Sequence, residues 1–287
     1  MIEGYPCSEI EIKTGHFRYA AKRWGYSSGM PTLALHGWLD NAASFDFVAP
    51  LLPDLQIVAL DFPGHGYSAH RPKGYRYHYV DYISDVVDVA DALKWDKFIL
   101  MGHSLGAGVA SITAGSIPEC ATKLILLEGL GAMTRDPAKS HEYLARSLQQ
   151  MKLLSKKMPP IYKNLQELIE ARIKVGDMKE KSVEALVSRN YIELENGVTW
   201  RSDPRLRIAS PVYLTEEQIF SYLQAIQAPV LLLTAESGIF SQNEQYLQAR
   251  CDRIKHLSRK IFPGGHHFHL DSPALVAEAI QAFLNSR

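Results

Sequence analysis

Polarity alternates along two short stretches near the start of the chain, Glu9 to Lys13 and Phe17 to Lys22, on either side of Thr14-Gly15. A period of two with a turn between predicts an antiparallel hairpin. Five later runs do not alternate: Thr32–Leu35, Gln56–Leu60, Phe98–Met101, Leu124–Leu127 and Val230–Leu233. Continuous apolar runs of this length predict strands buried on both faces, as in a parallel sheet covered by helices. A shorter candidate strand, Lys260–Phe262, precedes a glycine turn. Helical spacing fills the intervals. From Tyr79 to Leu93, Val80, Ile83, Val86, Val87 and Ala90 form an apolar stripe, with Asp81, Asp85, Asp88 and Asp91 on the expected solvated face. Leu105 to Ile117 is rich in small residues, and Pro273 to Leu284 makes a closing amphipathic helix. Strands alternating with helices predict an α/β fold with a mostly parallel, helix-flanked sheet.

That rhythm stops between Met133 and Tyr222. Helical stretches Ser140–Lys157, Asn164–Lys174 and Lys179–Tyr191 follow one another without a strand, separated by Met158-Pro159-Pro160 and followed by a loop from Asn196 to Pro211. The expected organisation is a core of residues 1–132 and 223–287, with a helical cap, 133–222, inserted between two strands.

Composition narrows the function classes. In 287 residues, 46% are hydrophobic, enough for a sizeable core, and 31 basic residues balance 31 acidic ones. No surplus of positive charge points to nucleic acid as a partner. Cys7, Cys120 and Cys251 are widely spaced and form no CxxC pair, so free buried thiols in a reducing compartment are expected. Met1-Ile2-Glu3-Gly4-Tyr5 lacks the basic start and apolar run of a secretory signal, and no stretch approaches the ~20 apolar residues of a membrane span. A cytoplasmic protein is the expectation.

The candidate chemistry begins where the Phe98–Met101 run meets Gly102-His103-Ser104-Leu105-Gly106. Gly-x-Ser-x-Gly alone is a weak signal. Between a buried strand and a small-residue helix, it predicts a sharp turn that exposes the Ser104 hydroxyl as a nucleophile. His36-Gly37-Trp38 follows the first buried run, where a loop can supply a backbone N–H to an oxyanion hole; Trp38 and Leu105 are the expected donors. The base is expected late in the chain, in Gly264-Gly265-His266-His267-Phe268-His269-Leu270-Asp271, with His266 placed to swing towards Ser104. With no carboxylate or cysteine cluster nearby in sequence, a metal is not expected at these histidines. Two glutamates follow buried runs, Glu128 and Glu236, and either could be the acid that orients the base.

These segments together resemble the α/β-hydrolase superfamily, in its capped branch of serine hydrolase-like proteins, esterases and haloalkane dehalogenases. The likeness covers Leu33 to Phe45, Asp61-Phe62-Pro63-Gly64-His65-Gly66-Tyr67-Ser68, the Ser104 turn, and Gly264 to Pro273. The resemblance implies an α/β-hydrolase sheet and a Ser–His–acid triad without cofactor. Many members carry the acid as aspartate in a Gly-x-x-Asp turn after the strand matching Val230–Leu233, where this chain has Gly238. Others carry it after the preceding strand, which favours Glu128 over Glu236. Serine at the turn disfavours the aspartate-based dehalogenase and epoxide hydrolase chemistries. His36, Asp40 and His103 are substrate-pocket candidates, and a small-to-medium carboxylic ester is the expected substrate. Thioesterase, carbon–carbon hydrolase and lyase activities use the same triad, and a non-enzymatic ligand-binding protein of this fold is a further class.

Overall fold

The computed structural model describes residues 6–154 and 159–286. The expectations on Met1–Tyr5, on the end of the Ser140–Lys157 helix and on Met158 lie outside the described residues. Strands β1 (Cys7–Lys13), β2 (Arg18–Trp24), β3 (Met30–Leu35) and β4 (Leu55–Leu60) open the chain, followed by helix α1 (Tyr79–Leu93). Next come β5 (Phe98–His103), α2 (Leu105–Ser116) and β6 (Ala121–Leu127). After a long insertion, the chain closes with β9 (Val230–Ser237), α7 (Glu244–Cys251), β10 (Leu257–Gly265), α8 (Phe268–Asp271) and α9 (Pro273–Asn285). The insertion holds α3 (Ser140–Leu154), α4 (Leu165–Ile173), α5 (Glu180–Ser188), β7 (Tyr191–Leu194), β8 (Gly197–Trp200) and α6 (Glu216–Ala225).

Eight strands form one sheet in the order β1-β2-β4-β3-β5-β6-β9-β10. The β1–β2 hairpin is antiparallel and joins β4 antiparallel; every pair from β4 to β10 is parallel. The lack of alternation in the central runs has a direct cause: both sides are covered. Leu33 and Leu35 of β3 pack in the core shared with α1, α2 and α6, while Ala34 between them packs on the opposite face with Val276 and Ile280 of α9. Each buried Leu, Ile or Val contributes roughly 1.5–3 kcal/mol by leaving water.

Three details differ from the expectation. Asp85 is buried rather than solvated, because it accepts from the Tyr19 hydroxyl at 2.8 Å and from Arg71 at 2.7 Å, while Val80 is exposed. The insertion is not all helix: β7 and β8 form an antiparallel hairpin, to which Tyr162 adds a bridge at Val198. Cys7 is exposed, whereas Cys251 is buried and its thiol pushed up to about 11 by that burial; all three cysteines are free. Helix α6 straddles residues 222 and 223 and packs on α2, with Ile219 and Leu223 in the sheet core. Among the described residues, no helix is long and apolar enough to cross a membrane.

The insertion has its own cluster, built on Leu168, Val183, Leu186, Val187 and Val198, which also takes in Leu270 from α8. Polar contacts fasten it at the C-terminal edge of the sheet. Arg189 holds buried Asp61, with Nη2 to Oδ2 at 2.9 Å, and reaches Glu9 at 2.6 Å. Asn41 donates to the Leu186 carbonyl, the Trp38 indole donates to the Leu206 carbonyl, and the Ser182 hydroxyl donates to Asp271.

Candidate active site

Ser104 lies between the last residue of β5 and the first of α2, at φ 52°, ψ −112°. That conformation costs a non-glycine residue on the order of 1–3 kcal/mol and persists only when its surroundings enforce it. The surroundings do so by close approach. A β-carbon on Gly102 would meet the Gly106 carbonyl at 2.4 Å, and one on Gly106 would meet the Leu35 carbonyl at 2.1 Å. The turn therefore needs both glycines, and it lifts the serine out of the sheet. The Ser104 hydroxyl donates to His266 Nε2 at 2.9 Å.

His266 follows the end of β10. Its Nδ1–H donates to Glu128 Oε2 at 3.3 Å. Glu128, fully buried after β6 at φ 50°, also accepts from the Ala235 N–H at 2.6 Å and the Ile239 N–H at 2.8 Å. Glu236 is exposed on β9, and no bond joins it to His266. The structure thus brings Ser104, His266 and Glu128 into one line and leaves Glu236 outside. Gly238 explains the departure from the Gly-x-x-Asp pattern: a β-carbon there would stand 2.2 Å from Glu128 Oε2.

The expected oxyanion donors flank Ser104. Leu105 opens α2, so its N–H has no partner within the helix, and the Trp38 N–H also makes no bond among the described residues. The Gly106 N–H donates to the His36 carbonyl at 3.1 Å, locking the two loops together.

The pocket candidates divide. Asp40 lines a cavity of about 630 Å³ that also reaches Ser104 and His266, but His36 and His103 do not. His36 is a buried brace: Nδ1–H donates to the Gly37 carbonyl at 2.7 Å and Nε2 accepts from the Phe62 N–H at 3.0 Å. Burial pushes its pKa down to about 4, which keeps the ring neutral. His103 points beneath the site, donates through Nε2–H to the His266 carbonyl at 3.0 Å, and is likewise pushed down to about 4 by burial. Burial opposes the charge on Asp40, yet His267 beside it holds its carboxyl well below the usual range. The histidine-rich loop does have a carboxylate close by: Asp40 Oδ2 lies 3.2 Å from His267 Nε2, a neighbour supplied by the fold.

The cavity lies between sheet and insertion. Trp38 and Ile239 line it from one side, and Tyr162, Arg172, Val187 and Trp200 from the other. Tyr143 packs edge-on against Tyr213. Among the clustered arginines, Arg205 is tied to Asp203 at 2.6 Å and to three carbonyls, Arg201 donates to the Tyr191 carbonyl, and Arg207 borders the cavity. Two contributors carried no sequence signal. Asp177, in the loop after α4, accepts from the His266 backbone N–H at 3.2 Å, and Ser44 bonds buried His269 at 2.8 Å. Both contacts join distant segments, so no local motif marks them.

Comparison with known proteins fits this geometry. The family model described as alpha/beta hydrolase fold matches residues 33–273. A serine hydrolase-like protein of Dictyostelium discoideum is 36% identical, the alignment covering 96% of this chain and 80% of that protein. A hypothetical protein of Pseudomonas aeruginosa PAO1 has a crystal structure that superposes with a TM-score of 0.92 at 39% identity, over 97% of this chain and 99% of that one. The thioesterase domain of a curacin biosynthetic pathway superposes at 0.82 with 25% identity, over 96% and 99% of the two chains.

Proposed function

This chain belongs to the α/β-hydrolase family, and from that premise we propose that it is a serine hydrolase of small-to-medium carboxylic esters, working through an acyl-enzyme on Ser104. The carrying observation is the continuous relay from Ser104 Oγ through His266 to Glu128, at 2.9 Å and 3.3 Å. His266 Nε2 takes the serine proton as Oγ attacks the carbonyl carbon. Glu128, its carboxylate fixed by two backbone N–H groups, holds the imidazole in the tautomer that leaves Nε2 free and stabilises the imidazolium once formed. The tetrahedral oxyanion sits between the N–H groups of Trp38 and Leu105, where one donor is typically worth ~3–4 kcal/mol in the transition state. The alcohol leaves with the proton from His266, and water, deprotonated by the same ring, releases the acid. The insertion acts as a cap, closing the acyl pocket over Ser104. Three free cysteines fit a reducing compartment such as the cytoplasm.

A fluorophosphonate probe tests the nucleophile: wild type should be labelled and Ser104→Ala should not. Unlabelled wild-type protein would sink the proposal in favour of a ligand-binding role. A second reading, hydrolysis of an acyl thioester, is supported by the likeness to the thioesterase domain. p-Nitrophenyl esters assayed beside acyl thioesters of equal chain length decide between the two by kcat/KM.

A further inference from the structure

Beneath His266, folding gathers Asp40, His103 and His267, all three buried, with one ligand atom from each lying within 4.8 Å of the others. We propose that these residues form a site for a divalent transition-metal ion of zinc type, distinct from the Ser104 relay. The spacing suits such an ion. Tetrahedral bonds of ~2.0–2.1 Å put neighbouring ligand atoms about 3.3 Å apart. Asp40 Oδ2 lies 3.2 Å from His267 Nε2 and 3.6 Å from His103 Nδ1.

The hydrogen-bond pattern leaves the position electrostatically unfinished. His103 gives its Nε2–H to the His266 carbonyl at 3.0 Å, so in the neutral ring Nδ1 bears a lone pair. That lone pair faces the Asp40 carboxylate at 3.6 Å, too far for a hydrogen bond. His103 Nδ1 and Asp40 Oδ1 are both buried without a hydrogen-bond partner. A cation beside Asp40 Oδ2 takes up the His103 lone pair and neutralises the buried carboxylate. Space is kept for it by Gly37, where a β-carbon would stand 2.8 Å from Asp40 Oδ2 and 2.9 Å from His103 Nδ1.

The surrounding groups meet part of the usual requirement. Metal-binding histidines normally donate their other ring N–H to a carbonyl or carboxylate. His103 already does so. On metal binding, the His267 proton moves from Nε2 to Nδ1, where Asp177 Oδ1, at 4.0 Å, supplies negative charge but no hydrogen bond. Asp40 and His267 both line the cavity, which gives the ion an entry path and a water as fourth ligand. One group opposes binding: the Arg172 guanidinium, also on the cavity wall, stands 3.6 Å from Asp40 Oδ1. This competition predicts effects of opposite sign.

Zinc chloride is titrated calorimetrically into chelator-treated full-length protein, and cobalt chloride is added in parallel to read the visible absorption of four-coordinate cobalt. Wild type and Ser104→Ala should each bind about one ion. His267→Gln should weaken binding by at least ~30-fold, since loss of even an outer-shell partner typically costs 10–100-fold. Arg172→Gln should tighten it several-fold, and Glu128→Gln should leave it unchanged. Equal affinity in wild type and His267→Gln would overturn the site, as would an anomalous-diffraction peak away from Asp40. Loss of binding in Glu128→Gln with His267→Gln unaffected would place the ion on the relay instead. Because Ser104→Ala is included, a failure here is separate from a failure of the esterase proposal.

Discussion

A side chain on residue 238 would occupy the space in which the Glu128 carboxylate lies, its β-carbon only 2.2 Å from Oε2. The carboxylate reaches His266 from the end of β6 because the end of β9 gives up its side chain. If Glu128 is the acid, Glu128→Gln should lower kcat by ~10²–10⁴ with little change in KM, while Glu236→Gln stays near wild type. Near-wild-type turnover in Glu128→Gln would refute the assignment. The shared space makes a stricter demand. Gly238→Asp alone should lose activity, because two carboxylates cannot fit the volume of one. Glu128→Gly combined with Gly238→Asp should recover at least ~10-fold over either single variant, an interaction that a double-mutant cycle measures directly. Additive losses would show that the two positions do not exchange roles.

At the scale of elements, the loop from Asp61 to Ser68 carries the end of β4 under the His36–Trp38 loop, and two buried histidines hold it there. His65 donates through Nδ1–H to the Pro63 carbonyl at 3.1 Å and lies against His36, ring centroids 4.9 Å apart. Burial pushes His36 down to about 4 and His65 to about 3. Between pH 6.5 and 4 the unfolded chain therefore binds more protons than the folded one, and stability falls as pH falls. At pH 5 each ring costs roughly 2 kcal/mol. Asp85, raised to about 6 by burial, works in the opposite direction and returns about 1 kcal/mol. These three groups alone make a loss of about 3 kcal/mol between pH 7 and pH 5. Buried His103 and His269, both pushed down by burial, add to it. Urea denaturation should show at least that loss, reduced in His65→Gln; an unchanged midpoint would contradict the neutral-brace account. Elements such as these were unevenly legible in the sequence. The central strands announce themselves because cover on both faces removes alternation, and Ser104 sits in a local strand–turn–helix signature. β10 shows only as Lys260–Phe262 because it is an edge strand, with exposed Ser258 and Lys260 in its run. The β7–β8 hairpin was hidden among helical stretches, although Asn196-Gly197, with Gly197 at φ 143°, is a turn signal. Glu128 needed a resemblance to choose it, because its relation to Gly238 exists only after β6 and β9 pair.

On the scale of the whole molecule, the cavity exists only where sheet and insertion meet, so the contacts fastening them define its size. Among these Arg189 pairs with a fully buried carboxylate, and replacing it with Met would leave Asp61 charged without its ion-pair partner, typically a cost of 3–5 kcal/mol. Substrate choice should respond to the wall rather than to the relay. Val187 lines the cavity from α5, about which the hydrophobic cluster of the insertion is built, so a larger side chain there must project into the acyl space or push that cluster apart. The cavity of about 630 Å³ falls in the range that holds a small organic ligand and no more. Val187→Trp should therefore lower kcat/KM for long-chain p-nitrophenyl esters by ~10-fold or more while sparing the acetate, since a pocket discriminates by about 1–3 kcal/mol per methylene that it accepts or refuses. Trp200→Ala, on the same wall, should move the optimum towards longer chains. Equal losses on acetate and long-chain esters in Val187→Trp would mean that the wall supports Ser104 rather than selecting the acyl group, and the proposed pocket would have to be sought elsewhere.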